Sequence, residues 1–124
     1  MIAADTSSMI AFLEGAEGDD VEVVESALEL NQLVLPPVVL TELLSDPMLP
    51  KSVRTLLASL PLLQVEPGYW MRAGSLRAAV LKTNRKARTA DALIAQSCLD
   101  QATPLITRDK DFRNFARTAG LPLL

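Results

Sequence analysis

Short apolar segments alternate with helical patterns along this chain of 124 residues. The apolar segments are residues 1–5, 33–35, 62–65 and 104–107. Strands that alternate with helices are typical of an α/β fold, in which right-handed crossovers place the strands in a mainly parallel sheet. A chain of this length forms one domain by ordinary size statistics. The sequence therefore predicts a single α/β domain with four strands, and residues 122–124 as a candidate fifth strand at an edge.

Helices are predicted between and after these strands. Gly15 and Gly18 delimit a turn, Pro36-Pro37 ends the second strand, and Pro37 suits the first turn of a helix. The predicted helices are residues 7–14, 19–30, 37–44, 51–59, 90–101 and 110–118, with a longer one that follows Pro67-Gly68 and reaches Leu81.

Carboxylates follow the first and the last of the four predicted strands. Asp5 comes at the end of the first, and Asp109 lies just beyond residues 104–107. Because ligands bind outside the carboxyl ends of parallel strands, these acids indicate a shared site. Glu42 and Asp91, near the starts of predicted helices in apolar surroundings, could join them. Four converging carboxylates are the arrangement that binds a hard divalent cation.

Taken singly, each acid has an ordinary structural explanation. Asp5 could cap the helix that follows it, and Glu42 could be a solvated helix residue. Asp91 lies in a predicted first turn, where negative charge interacts favourably with the helix dipole. Asp109 could cap the next helix, with Asp111 solvated in its first turn. None of these explanations accounts for the acids falling at the same kind of junction.

The chain has no histidine and one cysteine, Cys98. This composition excludes histidine-based zinc hydrolase sites and nucleophiles that histidine activates. It also excludes an intrachain disulfide, in agreement with a cytoplasmic protein. No apolar run reaches the roughly 20 residues of a membrane helix. If the protein is a hydrolase, its nucleophile is expected to be a water activated by carboxylates and metal.

The net charge of −3 conceals an uneven distribution. Residues 1–50 contain ten acids and no Lys or Arg, whereas residues 51–124 hold all 12 basic residues and five acids. Many of the basic residues lie close in sequence to the later acids: Lys82, Arg85, Lys86, Arg88, Arg108, Lys110, Arg113 and Arg117. They are either solvated helix faces or, if they share a face with the acids, a surface for phosphates.

Four short motifs together resemble the PIN domain, and within it the toxins of VapC–VapB toxin–antitoxin pairs. The motifs are Asp5-Thr6-Ser7, Thr41-Glu42-Leu43-Leu44, Ala90-Asp91-Ala92-Leu93-Ile94-Ala95 and Thr107-Arg108-Asp109-Lys110-Asp111-Phe112. Each is weak alone, but their order and spacing cover nearly the whole chain. The resemblance implies a compact α/β/α sandwich around a parallel sheet of four to five strands.

The resemblance also implies an activity, Mg²⁺- or Mn²⁺-dependent cleavage of RNA. The family's acid quartet falls on Asp5, Glu42, Asp91 and Asp109, of which all but Glu42 would bind the metal. Residues in supporting roles would be Ser7, Thr107 and Asp111, the last an alternative to Asp109 as fourth acid. Residues that would bind RNA phosphates are Arg85, Lys86, Arg88 and Arg108.

Expected partners are an RNA substrate, a small VapB-like antitoxin and a second copy of the chain. The leucine-rich segment 33–63 holds more apolar surface than a small domain can bury, which favours an interface there. Three other classes stay open: a receiver domain, a phosphatase-like Mg²⁺-binding domain and a non-catalytic PIN-like module. A receiver would need paired acids after the first strand, and the phosphatase would need Asp where Ser7 stands.

Overall fold

A computed structural model describes all residues from 1 to 124. The strands are β1 (Ile2–Ala4), β2 (Leu33–Val34) and β3 (Leu105–Ile106). The helices are α1 (Thr6–Leu13), α2 (Asp19–Glu29), α3 (Pro37–Leu44), α4 (Lys51–Ser59), α5 (Tyr69–Lys82), α6 (Thr89–Asp100) and α7 (Phe112–Ala119).

The sheet has the order β2-β1-β3, and both pairings are parallel. β1 is central: Ile2 is in register with Leu33, and Ala4 with Ile106. The predicted α/β class with a parallel sheet is therefore confirmed. The register also places the residues that follow β1 and β3 next to each other at one edge.

The structure has three strands, fewer than the four to five that were predicted. Residues 62–65 contribute one parallel bridge, between Leu35 and Leu62, instead of a strand. The Leu35 amide donates to the Pro61 carbonyl, and the Leu63 amide to the Leu35 carbonyl. Pairing stops there because Pro36 has no N–H group and the chain turns into α3. Residues 122–124 likewise contribute one bridge, between Leu105 and Leu123.

Helix positions agree with the sequence pattern to within about two residues. α4 has the predicted bounds, and Pro37 occupies the first turn of α3. α7 begins at Phe112, two residues later than predicted, because Asp109 and Asp111 form a turn that precedes it. That turn is part of the site described below.

One hydrophobic core joins the sheet to the helices that pack against it. Its fully buried members include Ala3 and Ala4 of β1, Val24 of α2, Ile94 of α6 and Phe115 of α7. α3 contacts both α1 and α6, so it connects the N-terminal helices with those of the C-terminal half. No helix combines the length and the apolar character that crossing a membrane requires.

The leucine-rich segment 33–63 lies mostly inside this core, contrary to the expectation of an exposed interface. Of its apolar residues other than proline, seven are buried and seven half-buried, while Ala58, Leu62 at 41% and Met48 at 84% are exposed. Two other large exposed apolar side chains, Trp70 and Met71, lie next to each other at the start of α5. The sequence overestimated the free surface because two helices and the edge of the sheet share these side chains.

Candidate active site

Asp5 and Thr107 meet at the carboxyl ends of β1 and β3. Each directly follows its strand, and the strands are paired in register. The Thr107 hydroxyl donates to Asp5 Oδ2 at 2.8 Å, and the Ser7 hydroxyl donates to the same oxygen at 2.7 Å. Asp5 is only 4% exposed. Two hydroxyl groups therefore orient this carboxylate and leave its other oxygen free of side-chain hydrogen bonds.

The loop after β3 is held by two further hydrogen bonds. The Asp109 backbone N–H donates to Thr107 Oγ1 at 3.0 Å, and the Asp111 N–H donates to Asp109 Oδ1 at 2.9 Å. Thr107 thus connects Asp5 to the backbone of Asp109, while Asp109 positions Asp111. Asp109 keeps Oδ2 available, since its other oxygen is occupied by the turn.

Three aspartates converge beside this loop. Asp91, in the first turn of α6, Asp109 and Asp111 each offer a carboxylate oxygen, and these oxygens lie within 4.8 Å of one another. Asp91 is 8% exposed, and its buried Oδ2 has no hydrogen-bond partner. An unpartnered buried carboxylate oxygen is costly, and a cation would satisfy it.

The electrostatic environment of Asp91 also favours a bound cation. Its pKa rises from 3.8 to about 6, first because burial disfavours the charged form and then because Asp109, Asp5 and Asp111 add negative charge. Nearby Arg88 opposes the rise. The carboxylates thus repel one another in the absence of a cation.

Glu42 is exposed and separate from the three aspartates. Its Oε1 accepts a hydrogen bond of 2.8 Å from the hydroxyl of Thr6, the residue that follows Asp5. This bond fastens α3 to the start of α1. Glu42 therefore lies at the rim of the site, and the structure does not bring it into the aspartate cluster.

Two of the four predicted RNA-binding residues, Lys86 and Arg88, lie beside the aspartates. Arg85, Lys86 and Arg88 are exposed in the segment between α5 and α6. Lys86 Nζ lies 3.4 Å from Asp111 Oδ2, and the Asn114 side chain donates to the Lys86 carbonyl at 3.0 Å. Arg108 differs, because its guanidinium group pairs with Asp20 of α2.

Two basic residues outside the predicted set also border the site. A cavity of about 300 Å³ lies over the loop after β3, and its lining includes Asp109, Lys110 and Arg113. The prediction also gave Asp111 only a supporting role, although it belongs to the aspartate cluster. The Asp-x-Asp spacing of residues 109 and 111 could have indicated that both acids belong to the site. In the turn that they form, both carboxylates lie near Asp91.

The donor set suits a hard divalent cation. All available ligands are carboxylate oxygens, and one of them is a buried orphan. Mg²⁺ and Mn²⁺ prefer oxygen ligands, and Mg²⁺ is commonly bound through one or two carboxylates with waters completing the shell. The fold and the site together define a parallel α/β protein with a metal-type acidic site at the carboxyl edge of its sheet.

The chain belongs to the PIN domain family, whose members are nucleases: the family's model, described as PIN domain, matches residues 2–118. No curated protein matches the chain. Solved structures share its fold. The VapBC2 complex of Rickettsia felis, bound to a fragment of promoter DNA, has a TM-score of 0.75 at 20% identity, covering 100% of this chain and 98% of that one.

Two further structures are similar. VapBC-5 of Mycobacterium tuberculosis, a member of the VapBC family of toxin–antitoxin systems, has a TM-score of 0.69 at 23% identity, with 99% and 96% of the chains covered. DNA-bound VapBC of Salmonella typhimurium has a TM-score of 0.73 at 17% identity, covering 100% and 98%. The predicted PIN fold is therefore confirmed, and family membership removes the receiver and phosphatase-like alternatives.

Proposed function

We propose that residues 1–124 form a single PIN domain that is a Mg²⁺- or Mn²⁺-dependent endoribonuclease. The observation that carries this proposal is the cluster of Asp91, Asp109 and Asp111, whose carboxylate oxygens lie within 4.8 Å of one another at the edge where Asp5 also ends a strand. Membership of a nuclease family gives the cluster its reaction class.

The acidic residues would have different roles. Asp91 and Asp109 would hold the metal together with Asp111, whose oxygen converges with theirs, and with Asp5, which lies outside this cluster at the neighbouring strand end. Glu42 would act from the rim. An ion held by these residues would lower the pKa of a bound water and offset the negative charge of the scissile phosphate. Ser7 and Thr107 keep Asp5 oriented through their hydrogen bonds to Oδ2. Burial of Asp91 excludes water from its carboxylate and strengthens its attraction for a cation.

Basic residues next to the acids would bind the substrate. Arg85, Lys86 and Arg88 are exposed, and Lys86 reaches the edge of the cluster at Asp111. Their charges would contact phosphates on either side of the cut. Arg108 has its guanidinium group engaged with Asp20, so it supports RNA binding less directly.

The partners follow from the VapBC neighbours. Their toxin–antitoxin character supports a role for this chain as the toxin of such a pair, acting in the cytoplasm and inhibited by a small VapB-like antitoxin. Self-association is also proposed. Because segment 33–63 is largely buried, the exposed apolar residues of α5, Trp70, Met71 and Leu81, offer a better surface for it.

Cleavage of a labelled RNA by purified protein tests the proposal. Protein stripped of metal by chelator should be inactive, and Mn²⁺ or Mg²⁺ should restore cleavage. Because the nucleophile is an external water, the products should carry no 2′,3′-cyclic phosphate. RNA binding without cleavage at any metal concentration would instead identify a non-catalytic PIN module.

A further inference from the structure

Arg108 and Asp20 form a two-point ion pair that ties α2 to the loop after β3. Arg108 Nε donates to Asp20 Oδ2 at 2.8 Å, and Arg108 Nη2 donates to Asp20 Oδ1 at 2.9 Å. Nη2 also reaches the Glu17 carbonyl at 3.3 Å. Paired parallel hydrogen bonds of this kind fix orientation as well as distance.

The surroundings of the pair hold it in place. The hydroxyl of Ser8, a fully buried residue of α1, donates to Asp20 Oδ2 at 2.8 Å. The side chain of Asp20 is only 12% exposed. A Cβ on Gly18 would lie 2.6 Å from Asp20 Oδ1 and 2.9 Å from Arg108 Nη2, so only glycine leaves room for the pair. Three segments distant in sequence therefore meet at Asp20.

Arg108 occupies a particular place in the chain. It stands between Thr107, which donates to Asp5, and Asp109, which belongs to the aspartate cluster. A guanidinium group drawn toward α2 constrains the backbone on both sides of it. Asp20, an acidic residue outside the four site motifs, thus contacts the loop that carries two of the clustered aspartates.

We propose that Asp20, acting through Arg108, is a positioning residue that fixes the loop 107–111 so that Asp109 and Asp111 face Asp91. This inference rests on the proposed function for its consequence, metal binding, but its structural part stands alone. Residues that orient metal ligands without touching the metal typically change metal affinity by about 10- to 100-fold when they are mutated. Asp20 should have an effect of that size.

The chain contains a matched control. Arg72 and Asp100 form the same two-point pair, with Nε–Oδ1 at 3.0 Å and Nη2–Oδ2 at 2.6 Å, and Arg72 also donates to a backbone carbonyl. The exposed fractions are similar, 42% and 9% for Arg72 and Asp100 against 40% and 12% for Arg108 and Asp20. This control pair joins α5 to the end of α6, and neither of its residues belongs to the loop 107–111 or to the aspartate cluster.

The test compares Asp20→Asn with Asp100→Asn in metal-free protein, without RNA. Two quantities are measured: hydrogen exchange at the amides of Asp109 and Asp111, and Mn²⁺ affinity by electron paramagnetic resonance. Asp20→Asn should lose amide protection and raise the Mn²⁺ dissociation constant at least about tenfold. Asp100→Asn should stay within about twofold of wild type in both, as expected for a distant site.

Equal behaviour of the two variants would overturn the positioning role. If wild type binds no Mn²⁺ while Asp20→Asn still loses amide protection, the positioning role stands and the metal-nuclease proposal fails. Arg108→Lys is a second variant, used in case Asp20→Asn does not fold. It keeps the positive charge but cannot form the two parallel hydrogen bonds to Asp20. It should lose protection at the same two amides, and full protection there would count against the proposal.

Discussion

Thr107 donates a hydrogen bond of 2.8 Å to Asp5, although 102 residues separate them in the chain. The same hydroxyl accepts the N–H of Asp109, so one side chain links the first strand to the loop that carries two of the clustered aspartates. This hydroxyl group therefore connects two separate parts of the site.

Replacing Thr107 by Val should remove this link while keeping the shape of the side chain. We expect a loss of roughly 1–2 kcal/mol in the free energy of unfolding, since a hydrogen bond to a carboxylate is lost, and a fall of about tenfold in cleavage rate. Denaturant unfolding and an RNA cleavage assay measure the two effects. Thr107→Ser retains the hydroxyl and should restore most of both; equal defects in the Ser and Val variants would contradict the account.

Asp91 should make the stability of the metal-free protein depend on pH. Its pKa is about 6 in the folded state against an ordinary value of 3.8. Between these values the folded protein holds more protons than the unfolded chain, so the free energy of unfolding falls as pH rises through that range. In Asp91→Asn this loss, on the order of 3 kcal/mol, should be absent.

Thermal melts in chelator across that pH range give the measurement. Asp91→Asn should melt higher than wild type at neutral pH, and the difference should shrink as the pH falls toward 4. Asp46→Asn, which removes an exposed acid, is the control. A difference between Asp91→Asn and wild type that is the same at every pH would refute the electrostatic explanation.

Glu42 should separate catalysis from metal binding. It is exposed and hydrogen-bonded to Thr6 outside the aspartate cluster. Glu42→Gln is expected to abolish RNA cleavage while its Mn²⁺ affinity stays near that of wild type and its fold is retained. Calorimetric Mn²⁺ titration beside the cleavage assay would reveal this. A large loss of Mn²⁺ affinity would make Glu42 a ligand.

The basic segment between α5 and α6 should act on binding. Replacing Lys86 and Arg88 together by Ala should weaken RNA binding and lower the slope of log affinity against log salt by about 1.4, because each phosphate contact on a single strand contributes about 0.7. Fluorescence anisotropy with a catalytically inactive variant gives the slope. The double replacement of Lys51 and Arg54, on a helix without site residues, removes equal charge and should leave the slope nearly unchanged.

The meeting of Asp5 with residues 107–111 could be predicted from sequence. Each follows an apolar segment, and the carboxyl ends of parallel strands share an edge. Helix bounds such as those of α4 were also predictable, because helical periodicity and proline positions are local signals. Apolar neighbours in sequence made Asp91 and Glu42 candidates, but helix-dipole or solvated positions explained each of them equally well, so their assignment to the site needed the family resemblance.

Three features depended on contacts that a sequence does not display. Asp20 pairs with Arg108 across 88 residues, and neither differs in pattern from its charged neighbours. The segment 62–65 is apolar like a strand, but it forms only one bridge because Pro36 has no N–H group to continue the pairing after Leu35. The leucines of segment 33–63 have an apolar character that does not reveal which neighbour covers them.

If the aspartate cluster performs metal-dependent RNA cleavage, as we propose, the rate should depend on both Mn²⁺ and Asp91. The most direct measurement is the initial rate of cleavage of one RNA against Mn²⁺ concentration, for wild type, Asp91→Asn and Glu25→Gln, which removes an exposed acid of α2. Wild type and Glu25→Gln should share one metal-dependent curve, whereas Asp91→Asn, although folded, should show no cleavage at any Mn²⁺ concentration. Cleavage by folded Asp91→Asn at the wild-type rate, or by wild type in excess chelator, would contradict this proposal.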